Sequence, residues 1–349
     1  MKKRVYSGIR ATGRLHLGNY FGAVKGMLAL QETYDCIFSV VDMHTITVPY
    51  EPDTLQVSVR NIVLDYLAAG LDPKKCSLEI QSKVPQHTEL AYLLSTIYPV
   101  SRLEDLPTYK EKKAQYPKYI NMGLLYYPVL MAADVLLYKA ELVPVGIDQE
   151  PHLEVMREIA RKFNSMFSST FPEPQRFKTD GEYIPSLTGE GKMSKSVEGS
   201  YINLTDELET IEAKLAKVPT DAGKGYIKHG IYISATSLQG STPHNIAPSG
   251  GLKVLMTFIE LFEGKQKREE YENIYQDQSG EGIKYSRLKR DLAKAIYKEL
   301  KPFQERRKKF EENPALVDSI IKESLEKCLS MAEETMREVK EKMGLSYIF

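Results

Sequence analysis

The chain has 349 residues, 42% of them hydrophobic and 27% charged, with 47 basic and 47 acidic side chains and no net charge. That length supports two domains, the neutral balance argues against a protein that coats nucleic acid, and no apolar run approaches the roughly 18 residues a membrane span needs. Met1-Lys2-Lys3-Arg4-Val5 is basic but no long apolar stretch follows it, so no secretory signal is expected. Cys36, Cys76 and Cys328 lack metal-site spacing and read as reduced structural thiols of a cytosolic protein.

Strand-like and helix-like segments alternate through the first half. Val5–Ile9 reads as a strand, followed by a glycine-containing turn and a helical pattern over 17–34. Residues 36–41 form a short β-branched run and predict a buried strand. Residues 53–69 predict a helix, with Asp53 as N-cap and Gly70 as stop. Leu78-Glu79-Ile80 is a third strand candidate. Helices are expected over 87–98, 122–139 and 150–167, with a fourth strand over 142–147. Such alternation implies parallel βαβ units, hence an α/β fold with a doubly wound, Rossmann-like sheet.

The texture changes near residue 200. Residues 205–217, 251–262, 285–300 and 315–343 read as helices, with no convincing strand among them, and 219–225 and 240–251 read as connectors. The expected organisation is an α/β domain over 1–200 and an all-helical C-terminal domain over 201–349. Residues 284–309 hold eleven Lys/Arg against Asp291, Glu299 and Glu305. That run reads equally as a solvated helical face or as a phosphate-tracking surface.

Two segments carry chemistry together. The first, Gly8-Ile9-Arg10-Ala11-Thr12-Gly13-Arg14-Leu15-His16-Leu17-Gly18-Asn19, lies where a strand hands over to a helix. A helix N-terminus there offers free N–H groups and a positive dipole end, which suits phosphate. Gly18 would let an adenine ring lie on the backbone, and His16 and Asn19 share a face from which both can donate. On its own His16 reads as readily as a capping or core histidine. The second segment is Lys192-Met193-Ser194-Lys195-Ser196, with Gly189 and Gly191 just ahead. Five specified residues occur by chance in such a chain about once in ten thousand sequences. Two ammonium groups on a closing loop can follow negative charge onto a leaving pyrophosphate.

Between them, Tyr127, Met131 and Asp134 are spaced to share one helical face. An aromatic, a thioether and a carboxylate on one stripe suit a flat apolar ring with a single N–H donor. Asp134 sits in an otherwise apolar run and needs a partner: an indole N–H, or a nearby protein donor. Gly146-Ile147-Asp148-Gln149 lies at another strand end, where Asp148 can accept from a ribose or an ammonium and Gln149 can bind an α-amino group. His44 follows the second strand and is a candidate for the substrate carboxylate.

These motifs resemble class I aminoacyl-tRNA synthetases, and specifically the tryptophan-specific family, over essentially the full length. The resemblance rests on Gly8-Ile9, Gly13 and Gly18-Asn19-Tyr20; Met131-Ala132-Ala133-Asp134-Val135-Leu136; Pro144-Val145-Gly146, Asp148-Gln149 and His152-Leu153-Glu154; and the lysine–serine loop. It implies activation of L-tryptophan by Mg-ATP to tryptophanyl-adenylate and pyrophosphate. Transfer to the 2′-hydroxyl of the terminal adenosine of tRNA(Trp) follows. The Mg2+ would ride on the phosphates with no dedicated protein ligands. It further implies that Asp134 holds the indole N–H, with Tyr6, His44, Tyr127 and Met131 at the substrate and Gln149 at its α-amino group. Arg10, Ala11, Thr12, Gly18, Asn19, Gly146, Ile147, Asp148 and Ile184 would meet ATP, with Met193, Ser194 and Ser196 of the loop. Lys192, Lys195 and His16 would act on the phosphates, joined by a mobile lysine from 110–113, for which Lys112 is the candidate. A cytoplasmic homodimer is the family's form.

Some positions depart from the family pattern. Arg10-Ala11-Thr12 stands where Gln-Pro-Ser is common, and Ile147 where an acid is common, which questions side-chain roles there. The tyrosine-specific relatives carry Gln where Met131 stands, so Met131 favours the larger indole. A small-molecule nucleotidyltransferase and a non-aminoacylating paralogue are the competing readings. The first would lack the helical domain, and intact Lys192, Lys195, Gly18 and Asn19 argue against the second.

Overall fold

The computed structural model describes residues 2–178, 183–195, 197–234 and 250–346. Its elements begin with β1 (Arg4–Ile9), α1 (Leu17–Asn19), α2 (Lys25–Ala29), β2 (Asp35–Val40), α3 (Pro52–Ala69) and β3 (Cys76–Ile80). Then come α4 (Gln86–Ser95), α5 (Val100–Glu104), α6 (Pro107–Gln115), α7 (Met122–Leu137), β4 (Leu142–Pro144), α8 (Glu150–Phe167) and β5 (Gln175–Phe177). The remainder is α9 (Leu208–Ala216), β6 (Gly225–Lys228), β7 (Ile231–Ser234), α10 (Gly250–Glu263), α11 (Lys265–Gln276), α12 (Tyr285–Glu311) and α13 (Pro314–Lys342).

β1 to β5 form one parallel sheet in the order β3-β2-β1-β4-β5. This is the doubly wound, Rossmann-like arrangement. Sequence order reverses between β1 and β4, so chains leaving their carboxyl ends diverge and open a crevice there. β5 escapes the sequence reading because its three residues follow Pro172 and Pro174 and show no apolar alternation.

Local chemistry sets the element boundaries. α3 begins two residues earlier than Asp53 would place it: Glu51 is the N-cap and Pro52 takes the first helical position. It ends at Gly70, whose φ of 112° only glycine adopts freely. The pattern over 17–34 is a broken helix, with a π turn over Tyr20–Val24 between α1 and α2. Gly18, Gly22 and Gly26, one turn apart, weaken the α-ladder there.

The chain divides into two compact units: Met1–Arg14, Lys25–Asp180 and Lys309–Phe349 form the first, and Leu15–Val24 with Gly181–Lys308 the second. These do not follow the 1–200 and 201–349 division read from texture, because segments at both ends of the chain are exchanged. In the first unit α13 lies against β3, α4 and α7. Its Cys328, Ala332, Met336 and Val339 join the core that α7 and α8 build. Lys340 pairs with Glu89 of α4 at 2.5 Å, and Glu338 with Lys139.

The second unit corrects the all-helical expectation: β6 and β7 form an antiparallel hairpin. Its loop is His229-Gly230, both with positive φ (51° and 73°), as a two-residue primed turn requires. Asn or Asp is the usual signal at the first of these positions, and His hid the turn. Tyr275 of α11 and Tyr285 of α12 donate to the two oxygens of Asp221 at 2.7 and 2.6 Å, pinning the loop ahead of the hairpin. The connector expected over 240–251 falls mostly outside the described residues. Among the described residues no helix is long and apolar enough to cross a membrane.

Candidate active site

In the first unit, the carboxyl ends of β1, β2 and β4 and the inner face of α7 enclose a cavity of about 410 Å3. Its walls are largely apolar, with Val41, Val48, Leu124, Val135, Val143 and Val145. Tyr6, His44, Tyr127, Met131, Asp134 and Gln149 all line it, as do Arg10 and, from 110–113, Glu111 and Lys112. The three α7 residues expected to share a face therefore do so. Pro128 is accommodated within α7 although it removes one ladder bond.

Asp134 is buried and already partnered. Its Oδ2 accepts from His44 Nε2 at 2.8 Å and its Oδ1 from Gln81 Nε2 at 2.8 Å. His87 Nδ1 stands 2.7 Å from Oδ1, within ion-pair range but off line for a linear hydrogen bond. Burial alone would raise the carboxyl, yet His44 and His87 hold it well below the usual carboxylate range. On its far side His87 meets Glu79 at 2.5 Å. Burial alone would lower this imidazole, but Glu79 and Asp134 push it up to about 10. Gln81 also accepts from Met43 N–H at 3.1 Å, tying the loop after β2 to α7.

A second polar cluster lines the same cavity. The Tyr127 hydroxyl donates to Thr108 Oγ1 at 2.6 Å and lies 2.7 Å from His152 Nε2. Burial lowers His152, and among the described residues its Nδ1 has no hydrogen-bond partner. Arg10 donates to the His44 carbonyl at 2.7 Å and is itself lowered by burial. The Ala11 N–H is taken by Thr45 Oγ1 at 3.1 Å, and Thr12 is exposed. Lys112 donates to Gln115 at 2.8 Å and lies over the Tyr116 ring. Gly146, Ile147 and Asp148 are exposed, and Asp148 accepts from Gln149 Nε2 at 2.8 Å.

In the second unit the two signature segments meet. Gly18 N–H donates to Met193 Sδ at 3.3 Å. A Cβ at Gly18 would come within 3.0 Å of Met193 Cβ and 2.9 Å of the His16 ring, so glycine is what permits the approach. Backbone bonds from Leu17 N–H to Ile202 and from Leu204 N–H to Leu15 clamp the chain on either side of His16. His16 and Asn19 cap each other: Asn19 N–H donates to His16 Nδ1 at 3.2 Å, and His16 N–H to Asn19 Oδ1 at 3.3 Å. The capping alternative is thus realised, and it leaves Nε2 as the proton-bearing nitrogen of a neutral ring. Burial, then the ammonium groups of Lys195 and Lys192, pushes His16 down to about 4.

The loop bearing these lysines is a tight turn. Ser186 N–H bonds to Gly191, and Met193 N–H to the buried Ile184, with Gly189 and Gly191 at φ of 91° and 71°. Ser200 donates to the Ser194 carbonyl at the loop's exit. Lys192 is exposed and Lys195 half-buried, whereas Ser196 lies outside the described residues.

A profile of the family described as tRNA synthetases class I (W and Y) matches residues 1–301. A tryptophan–tRNA ligase of Clostridium tetani is 38% identical over 347 residues, 98% of this chain and 96% of its own. One from Caldanaerobacter subterraneus subsp. tengcongensis is 39% identical over 348 residues, 98% of each chain. Among solved structures, a tryptophanyl-tRNA synthetase from Campylobacter jejuni complexed with ADP and tryptophan superposes with a TM-score of 0.82 at 29% identity. That match covers 98% of this chain and 100% of that one.

The chain belongs to the class I tryptophan and tyrosine synthetase family. Within that family it is a tryptophan–tRNA ligase, an ATP-binding enzyme that joins the amino acid to its tRNA.

Sequence reading passed over Glu79, Gln81, His87, Thr108 and the hydroxyl-binding role of His152. A signal existed for some of them. Gln81 follows a strand's carboxyl end, where sites form. Glu79 is a carboxylate inside an apolar strand, which demands a buried partner, and His87 is the basic group close behind it.

Proposed function

We propose that the first unit's cavity takes L-tryptophan with its indole N–H on the remaining lone pair of Asp134 Oδ2. The observation that carries this reading is Asp134 itself: a carboxylate kept charged in an apolar-walled cavity, with one hydrogen bond on each oxygen, the His87 ring against Oδ1 and an Oδ2 lone pair left. Met131 and Tyr127 flank the ring, with Tyr6 and His44 behind it, and Gln149 meets the α-amino group. A ring lacking the donor would leave that acceptor buried and unpaired, a strong basis for rejecting phenylalanine.

The phosphates of ATP go to the second unit's signature pair, where Gly18, Asn19 and Ile184 offer backbone and amide groups and Lys192 and Lys195 offer charge. Arg10, Ala11, Thr12, Gly146, Ile147 and Asp148 serve the nucleotide chiefly through backbone and ribose contacts. Attack of the tryptophan carboxylate on the α-phosphorus breaks the bond to pyrophosphate, and the two lysines, with the Nε2–H of His16, offset the charge that builds there. The charged groups that act on His16 are Lys195 and Lys192, which suits Mg2+ held by the phosphates rather than by the protein. The acyl group then passes to the 2′-hydroxyl of the terminal adenosine of tRNA(Trp).

The helical region after residue 200 takes the anticodon end of the tRNA. Lys284, just ahead of α12, and Arg287, Arg290 and Lys294 on it are exposed and present a stripe for phosphates. Lys289, on the same run, is committed elsewhere: it donates to the Ala216 and Val218 carbonyls at 3.0 and 2.7 Å, capping α9. A cytoplasmic homodimer completes the reading. The deciding experiment is ATP–pyrophosphate exchange driven by each amino acid in turn. Exchange with tryptophan alone is expected; exchange with tyrosine instead, or with none, overturns the proposal.

A further inference from the structure

We propose that Glu79 and His87 are positioning residues that fix Asp134 as the acceptor for the indole N–H, and so set the preference for tryptophan over rings of similar size that lack this donor. The inference rests on the reading of Asp134 given above and extends it to a pair of side chains that do not line the cavity.

The argument begins with the carboxylate plane. An isolated Asp134 could turn about its terminal torsion, which is broad, and present either oxygen to the cavity. Here Gln81 and His87 hold Oδ1 at 2.8 and 2.7 Å, and His44 holds Oδ2 at 2.8 Å. The plane is thereby locked and only an Oδ2 lone pair remains. Gln81 and His44 are neighbours of the cavity wall. His87 stands behind, on α4, fully enclosed.

An enclosed imidazole is an unreliable clamp by itself. It would be neutral, and its single proton could sit on either nitrogen, so Nδ1 could face Asp134 as a second acceptor. Glu79 removes that choice. An ionised Glu79 lies 2.5 Å from Nε2 and places a proton on that nitrogen. With Asp134 at the other nitrogen both are protonated, and the ring is held as imidazolium, in line with its elevation to about 10. The remaining groups around the pair do not compete in the working range. Tyr138, whose hydroxyl is 3.3 Å from Nε2, and Tyr6, stacked on Tyr138 at 5.8 Å, are both raised by burial. Cys328 of α13, beside Tyr138 and Glu79, is raised likewise. His44 faces the pair only through Asp134.

Glu79 is placed for this task. It lies in β3 between Leu78 and Ile80, in a strand buried at every position. A carboxylate there is costly, and His87 is the cation that offsets it.

The test compares tryptophan with benzothienylalanine, in which sulfur replaces the indole N–H, in ATP–pyrophosphate exchange by the full chain. The unmodified enzyme should prefer tryptophan by at least about tenfold in kcat/KM, with a ratio constant between about pH 6 and 9. In Glu79→Gln the ratio should shrink by about fivefold or more and fall further as pH rises. The change should sit in the KM for tryptophan, with kcat kept within about twofold, and Glu79→Asp should restore part of it. An unchanged ratio in Glu79→Gln, or an equal loss for both substrates, overturns the positioning role while leaving the Asp134 reading intact. No preference in the unmodified enzyme overturns both. Should Glu79→Gln fail to fold, nitrogen NMR of the histidine-labelled natural chain at about pH 8 decides the matter. His87 must then show two protonated nitrogens, and a neutral ring overturns the proposal.

Discussion

The cavity of the first unit and the signature pair of the second use charge in opposite ways. Around Asp134 the charges are buried, mutually paired and fixed by side chains from β3, α4, α7 and the loop after β2. Around His16 the cations stand at or near the surface on a glycine-hinged turn, and His16 itself is held neutral. Recognition of a ring requires an acceptor that does not move, whereas stabilising a departing phosphate requires cations that can. Low dielectric serves the first task and solvation preserves freedom for the second.

The contrast breaks most severely at Asp134. Asp134→Ala should cost about 3–5 kcal/mol of unfolding free energy, because Gln81 is left buried without its acceptor and His87 loses one of its two anionic partners. It should also abolish saturable tryptophan-dependent exchange. Chemical denaturation and exchange kinetics check the two effects, and loss of activity without loss of stability would mean the network is not structural. Lys192→Ala should do the reverse: a fall of about 100- to 1,000-fold in kcat, with KM for tryptophan and stability unchanged, since Lys192 is exposed. A rise in KM for tryptophan would erase the division of labour.

The two regions should also fail at opposite ends of the pH scale. His87, raised to about 10 from an ordinary value near 6.5, gives stability that is fully present below 6.5 and is lost as pH rises toward 10. His16, lowered to about 4, binds its proton more readily when unfolded, so stability falls as pH drops from 6.5 toward 4. Asp134, whose folded value is depressed, adds its own loss only at still lower pH. Hydrogen exchange resolved by segment should show the second unit loosening first in acid and the first unit first in alkali, and His16→Gln should flatten the acid slope. The smallest effect belongs to α12. Arg290→Glu with Lys294→Glu should weaken tRNA binding and reduce its salt dependence without altering amino-acid activation, as filter binding across salt concentrations would show.

How much of this was readable in advance depended on whether the signal was local. The four longer-patterned strands, the boundaries of α8 and the stop at Gly70 follow from periodicity and backbone preference. So did the stripe of Tyr127, Met131 and Asp134, because helical spacing is a local rule. The pairings of Asp134 were not readable, since Gln81, His87 and Glu79 reach it only through the parallel register of β2 and β3 and the packing of α4 on α7. The β6–β7 hairpin was hidden by a histidine in a turn that usually advertises itself with asparagine. α11 was passed over because its composition is almost wholly polar. The exchange of terminal segments between the units is a long-range property that sequence texture does not record.

The place of α13 has a consequence for biosynthesis. Strand β3 is an edge of the sheet, and the residues of α13 that pack on it leave the ribosome long after it does. Until they emerge, the nascent sheet carries an apolar, unshielded border open to wrong partners. A chain cut short before α13 should therefore not yield a weakened enzyme but a substrate for chaperones and proteases.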